Sequence, residues 1–175
     1  DASASALRKM TKANFVSGIG GTNTPAFAAK LTNSLALPDV TATDVPFNSE
    51  LFDVGSCYNA SNGVFTVPSG EGGKYFFSTN VMFNDGQGNT SDQLLYMHTT
   101  IGGSGNQSLI ARANTVSNQT LFSELNLNYS MVIALSAGDA IKIQAYADTN
   151  NGSASGVATG GTPGKTVFFG YKIIE

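Results

Sequence analysis

Charge is scarce in this chain: Asp, Glu, Lys and Arg make up 12% of its 175 residues, against about 25% in ordinary soluble domains. Its polar surface must therefore come from Asn, Ser, Thr and Gly, a profile that suits a β-rich particle or extracellular protein better than a cytosolic enzyme. With a net charge of −3, the chain offers no basic stripe for nucleic acid. Arg8, Lys9 and Lys12 gather only near the N-terminus. A single cysteine, Cys57, excludes an internal disulfide and reads as a small buried hydrophobe, with an interchain bridge as the alternative. The missing disulfide framework argues against a small animal secreted domain. No uninterrupted apolar run approaches the roughly 20 residues of a membrane span. There is also no internal repeat of solenoid or propeller period.

Catalytic groups are equally sparse. His98 is the one histidine, on an expected strand, and reads as a polar surface or interface residue. A Ser-His-Asp site needs its members within hydrogen-bond reach, and Ser91 and Asp92 are close to His98 only in sequence. No G-x-S-x-G elbow accompanies it. A zinc site would have to lean on Cys57 and carboxylates at no recognisable spacing. The loop from Asn84 to Asp92 has oxygen donors on a bendable backbone but lacks the closing Glu of an EF-hand, and reads as a polar hairpin loop. No enzyme, no metal and no cofactor is expected. Sequons occur at Asn59, Asn89, Asn106, Asn118, Asn128 and Asn151. They matter only in a eukaryotic secretory path.

What is present is β-pattern. The stretch from Tyr58 to Phe83 reads as two strands around a Gly-rich turn: Asn62-Gly63 opens it, Pro68 stops the first strand, and Ser69 to Gly73 turns the chain. From Lys74 onward Tyr75, Phe77, Thr79, Val81 and Phe83 share one face, and Phe76, Ser78, Asn80 and Met82 the other. Both faces carry apolar groups, as in a central strand covered on both sides. Further strands are expected at Pro25–Leu31, at Phe47–Tyr58, which should return toward the core hairpin with Phe52 and Val54 on one face, and at Gln93–Ile101. Ser108–Ala113 should form another. The longest alternation places Leu125, Leu127, Tyr129, Met131, Ile133 and Leu135 inward. Ile141, Ile143, Ala145 and Ala147 should face in on the next strand, and Val167–Ile174 closes the sheet. Pro38 to Pro46 reads as irregular or short strand, and Asp148 to Gly164 as one long loop.

Residues 1–24 read as an N-terminal extension, with a helix from Asp1 to Val16 ended by Gly18, Gly20 and Gly21. Such a segment is a frayed leader, a stalk end or an arm that docks on a neighbour. The chain opens on Asp1 without a signal-peptide pattern, so a processed product or a C-terminal piece of a longer protein is expected. Residues 25–175 read as one all-β domain, sandwich or barrel.

Four segments carry a family resemblance. Tyr58, Gly63, FTVP, the Gly-rich turn and YFF, together with PAFAAKL (Pro25 to Leu31), LSAGDAIKIQAY (Leu135 to Tyr146) and TVFFGYKII (Thr166 to Ile174), resemble the C1q/tumour-necrosis-factor-like globular domain. The resemblance implies a jelly-roll sandwich of roughly eight to ten strands that assembles as a homotrimer. Phe76, Met82 and Tyr146 would then be the trimer contacts, since each alternates outward from a core-facing strand. The partner-binding loop would carry Asn150, Asn151, Ser153 and Thr159.

On these grounds the chain is expected to be a non-enzymatic head on a virion or phage fibre, spike or capsid decoration. Such a head would contact a host-surface receptor or glycan, with other particle proteins held through the N-terminal extension. The alternative is a secreted C1q/TNF-like recognition module or a bacterial spore-surface filament head. Either places it at a virion surface or otherwise outside the cell. A lectin-like carbohydrate-binding or carbohydrate-cleaving domain is the third class, and cleavage would need paired carboxylates.

Overall fold

A computed structural model describes residues 23–85, 90–114, 124–149, 152, 156–158 and 165–173. The expected helix over Asp1–Val16 lies outside the described residues. Among these, all regular structure is strand, and no helix is long and apolar enough to cross a membrane. The strands are β1 (Ala26–Lys30), β2 (Leu35–Leu37), β3 (Thr43–Asp44), β4 (Ser49–Val54), β5 (Tyr58–Asn59), β6 (Val64–Thr66) and β7 (Gly73–Asp85). They continue with β8 (Thr90–Ile101), β9 (Ser104–Asn114), β10 (Glu124–Leu135), β11 (Ala140–Thr149), β12 (Gly156–Ala158) and β13 (Val167–Lys172). The number exceeds the expected eight to ten because β2, β3, β5, β6 and β12 are two or three residues long.

Two sheets face each other. In sheet A, β7 is central: β10 runs along one edge, while β13 and then β12 share the other. Beyond β13 come β1 and β4, and beyond β12 comes β2. Sheet B has the order β5-β6-β11-β8-β9, with β3 added beside β11. Every pairing within the strands is antiparallel, as a sandwich with one buried face per sheet requires.

The core is aromatic. Phe27 stacks on Tyr58 at 4.7 Å between ring centroids and meets Phe168 edge-on at 4.9 Å; Phe65 meets Phe77 edge-on at 5.0 Å. Burying one such ring contributes about 3 kcal/mol relative to leaving it exposed. Two polar groups inside are partnered: Tyr58 Oη donates to the Phe47 carbonyl, and Thr79 Oγ1 donates to the Val167 carbonyl. Gly170 marks the closest approach of β13 to β7, because a Cβ there would sit 2.4 Å from Phe77 Cδ1. The expected core face of β7 is present, with Tyr75, Phe77, Thr79, Val81 and Phe83 all buried, as are Ile141, Ile143, Ala145 and Ala147 on β11.

Four expectations are corrected. The stretch from Tyr58 to Phe83 is not one hairpin, because β6 lies in sheet B and β7 in sheet A. Asn62-Gly63 instead closes the β5–β6 hairpin, where both backbone N–H groups donate to the Asn59 carbonyl. The Pro68–Gly72 segment crosses between sheets, fixed by mutual backbone bonds between Val67 and the Gly138-Asp139 turn. Two strands with one face on a common core look alike in sequence whether they pair or face each other.

The Phe47–Tyr58 segment does not bring Phe52 and Val54 to the core; they share one face, as expected, but it is the outer one, where they are 50% and 48% exposed. β4 is the last strand of sheet A, and a register shift between Ala28 and Ala29 sets Phe52 opposite Ala28 and Val54 opposite Ala26 on the outer face. The inward face of β10 is only partly roofed: Leu127 and Leu135 are buried, while Tyr129 is 36% exposed. β10 is the opposite edge of sheet A, and no strand continues the sheet beyond it among the described residues. Finally, the expected loop from Asp148 to Gly164 is interrupted, since Asp148 and Thr149 end β11 and β12 inserts between β7 and β2.

Candidate assembly face

The outward residues of sheet A fall into rows set by strand register. Val132 on β10 pairs with Phe76 on β7, which pairs with Tyr171 on β13, then Ala26 on β1 and Val54 on β4. The next row is Ser130, Ser78, Phe169, Ala28 and Phe52. The third is Asn128, Asn80, Val167, Lys30 and Ser49. An apolar band therefore crosses five strands, with polar groups beside it. Phe76 sits 5.3 Å from the Tyr171 ring and 6.3 Å from the Phe169 ring, between ring centroids. Val132 stands 55% exposed at the β10 end of the band. The polar part is internally tied: Ser130 Oγ donates to Ser78 Oγ, and Asn80 Nδ2 donates to Asn126 Oδ1.

The three residues expected to share this role are separated. Phe76 lies at the centre of the band. Met82 projects from the same side of β7 but is only 2% exposed, so its apolar demand is met within the chain; its backbone N–H donates to Thr166 Oγ1. Tyr146 lies on the opposite surface, the outer face of sheet B, edge-on to Tyr96 at 6.4 Å between ring centroids. Burial, then the nearby charge of Asp148, raises its phenol pKa. Val132, Phe169 and Tyr171 were missed, although the alternation in TVFFGYKII already separates Phe169 and Tyr171 from Phe168 and Gly170.

Asn150, Asn151, Ser153 and Thr159 lie outside the described residues, but their anchor points are defined. Thr149 pairs with Thr90, Gly156 with Asp85, Asp92 with Asn114, and Glu124 with Asn84. The connections 86–89, 115–123, 150–155 and 159–164 therefore all leave from one end of the sandwich. Pro25 and Lys172 lie at the other end, beside Lys74 and Tyr75. The 13 residues of β7 separate the two ends by about 40 Å.

Among the described residues, no catalytic arrangement forms around His98. It lies on the outer face of sheet B, in register with Lys142 and Gln107. Asp92 is six residues along the same strand, about 20 Å away. The cavity beside His98 holds about 220 Å³ and is lined by Val64, Thr100, Ala140, Ile141 and Lys142. Lys142 reaches away to Asp44 at 2.8 Å. Among the described residues, no three His, Cys, Asp or Glu side chains come together to hold a metal. Cys57 is buried, and its backbone N–H and its thiol both donate to Asp53. Burial first, and Asp53 second, push its thiol pKa up.

The family profile of the C1q domain matches residues 26–173. The chain belongs to the C1q domain family. Similar solved structures include the globular domain of zebrafish complement 1qA, at 17% identity and a TM-score of 0.60 over 87% of this chain and 99% of that one. Murine APRIL is similar at 16% identity and a TM-score of 0.56, over 85% and 98% of the two chains. Eiger TNF from S. frugiperda is similar at 12% identity and a TM-score of 0.58, over 86% and 92%. No curated protein matches in sequence. These likenesses fix the C1q/TNF jelly roll, and C1q-like domains are generally non-enzymatic binding modules.

Proposed function

We propose that this C1q domain is a non-enzymatic homotrimeric head, joined to a larger extracellular structure at one end and binding a partner with the loops at the other. The observation that carries this is the apolar band on sheet A, in which Val132, Phe76, Tyr171 and Phe169 cover a side of the sandwich that no other strand among the described residues roofs. A three-fold ring needs two different patches, one meeting the other on the next copy. The second patch is the half-roofed side of β10, where Tyr129, Met131 and Ile133 remain partly exposed. Packing the band of one copy against β10 of the next would bury both. Tyr146 and Met82 play no part in this contact.

The separation of the two ends supports a head. Residues 1–22 join the body at the Pro25 end, as a stalk end or docking arm would, while Asn150, Asn151, Ser153 and Thr159 lie in connections anchored about 40 Å away. We further propose that the particle is a virion or phage, where the head serves as fibre tip, spike or decoration. Asn128 favours that over a glycosylated secretory product, because its sequon lies on the outer face of sheet A beside the band. A glycan there would stand in the interface. Sedimentation equilibrium at micromolar concentration tests the trimer, with three times the chain mass expected and a monomer mass refuting it. Intact mass of native material tests the source reading, and a glycan on Asn128 would overturn it.

A further inference from the structure

The outer face of sheet B has a different character from the apolar band on sheet A, and the assembly proposed above does not use it. Strand register sets four outward rows on β11 and β8: Ala140 beside Thr100, Lys142 beside His98, Gln144 beside Tyr96, and Tyr146 beside Leu94. The four rows span about 20 Å. At one end Ala140 presents only a methyl between Thr66 on β6 and Thr100 on β8, and the cavity of about 220 Å³ opens there, walled by Val64, His98, Thr100 and Lys142. At the other end Tyr96 and Tyr146 meet edge-on at 6.4 Å between ring centroids, an arrangement in which the pair leaves ring face uncovered.

A chain of polar groups joins the two ends. Gln107 Nε2 donates to Gln144 Oε1 at 2.6 Å, Gln144 Nε2 to Asp44 Oδ1 at 2.7 Å, and Lys142 Nζ to Asp44 Oδ2 at 2.8 Å. Gln107 and Gln144 stand on the strands either side of β8, so their bond passes over β8 from the His98 row to the Tyr96 row. Each group holds the next in place on rigid strands, which is the preorganisation a binding site needs.

The chemistry narrows the class of ligand. Nucleic acid calls for unpaired cations, and Lys142 is neutralised by Asp44. An added peptide strand calls for a sheet edge, and these groups lie on a sheet face. A protein partner calls for an apolar, desolvated centre, and the centre here is an ion pair and two amides. Asp148, Asp92 and Asp39 act electrostatically on Tyr146, which disfavours an acidic ligand. A neutral polyhydroxyl fits: amides and a carboxylate exchange hydrogen bonds with hydroxyls, and tyrosine offers an apolar ring with a polar tip. We propose that the outer face of sheet B binds a neutral glycan, with one sugar ring in the cavity at Ala140 and a further ring against Tyr96 and Tyr146. This goes beyond partner binding by the end loops and does not require the trimer.

The test presents the full chain to an array of neutral oligosaccharides of glucose, galactose, mannose and N-acetylglucosamine, alongside sialylated and sulfated ones. Binding to a neutral structure is expected, and amide chemical-shift changes with that oligosaccharide should centre on residues 96–100 and 140–146. Tyr96→Ala and Gln144→Ala should each weaken binding at least tenfold. Ala140→Leu fills the cavity and removes no polar group, and should weaken it as much with an unchanged thermal midpoint. Absence of binding to every neutral oligosaccharide, binding confined to acidic ones, shifts centred on the loop end, or full affinity in any of the three variants would overturn the proposal. Sedimentation equilibrium of the same samples reads the trimer separately. A monomer that binds the glycan on this face refutes only the trimer, and a trimer that binds none refutes only this proposal.

Discussion

Val132→Glu separates assembly from folding more cleanly than any other change on the apolar band. On the isolated chain Val132 is 55% exposed, so the substitution removes little buried surface, and monomer stability should change by no more than about 1 kcal/mol. In the proposed ring the same side chain would be buried. Burial of a valine-sized group is worth about 1.5 kcal/mol, and three-fold symmetry repeats it three times. Because Val132 is already partly buried on the isolated chain, about half of that remains to be gained at each contact, so the loss is about 2–3 kcal/mol, or roughly 30- to 100-fold in the assembly constant at about 1.4 kcal/mol per tenfold. The cost of placing carboxylates at the contact comes on top. Sedimentation equilibrium at micromolar concentration should then show a folded monomer with a nearly native far-UV spectrum. Met82→Glu is the matched control: Met82 is already buried within the chain, so a charge there should cost several kcal/mol of monomer stability. A Val132→Glu protein that remains a trimer with unchanged dissociation would refute the assignment of the band.

Three further outcomes follow from the packing and the titrating groups. Gly170→Ala would place a methyl 2.4 Å from Phe77 Cδ1 and 2.9 Å from the Phe76 carbonyl, so overpacking of about 1–3 kcal/mol should lower the thermal midpoint by several degrees; an unchanged midpoint would count against the closeness of β13 and β7. Asp139 accepts from the Ser136 and Gly102 backbone N–H groups, which hold its carboxyl below the usual range, so its stabilisation is fully present above about pH 3.9 and is lost as pH falls through the lower folded value. Asp139→Asn should flatten that acid limb in urea titrations, and an identical limb in the two proteins would contradict the assignment. Cys57, raised by burial and by Asp53, should resist a disulfide reagent at pH 8 in the native protein and react fully in urea, whereas immediate native labelling would show the thiol open.

Strand periodicity in this chain reports which side chains share a face, and it did so well for β7 and β11, where every second residue is buried. It does not report which sheet a strand joins. Val64–Thr66 and Gly73–Asp85 have the same alternation whether they pair or stand on opposite layers, and it is the pairing of β6 with β11 and of β7 with β10 and β13 that shows the crossing. Edges are hidden for a related reason. Phe52 and Leu125 look like core residues in a local window, yet burial depends on whether a further strand and an opposing sheet cover them. The Gly-Val-Ala of β12 carries no pattern at all; it is a strand because the edges of β7 and β2 both offer it hydrogen bonds.

The same limit governs the assembly face. Parity alone showed that Phe76 and Tyr146 point away from the core, but not that they point away from opposite sheets, and a shared interface needs shared placement. Met82 fails differently. Its parity is outward, yet its side chain is 2% exposed, and its backbone N–H donates to Thr166 Oγ1. Phe169 and Tyr171 were within reach, since Gly170 can lie inward against Phe77 only if its two aromatic neighbours face out. What no local pattern could supply is the register that puts Val132, Phe76, Tyr171, Ala26 and Val54 in one row. These five residues come from five strands separated by as many as 145 positions in sequence, and only long-range pairing makes them neighbours. An apolar face built this way is a property of the sheet order. Its residues become recognisable once β10, β7, β13, β1 and β4 have been set side by side.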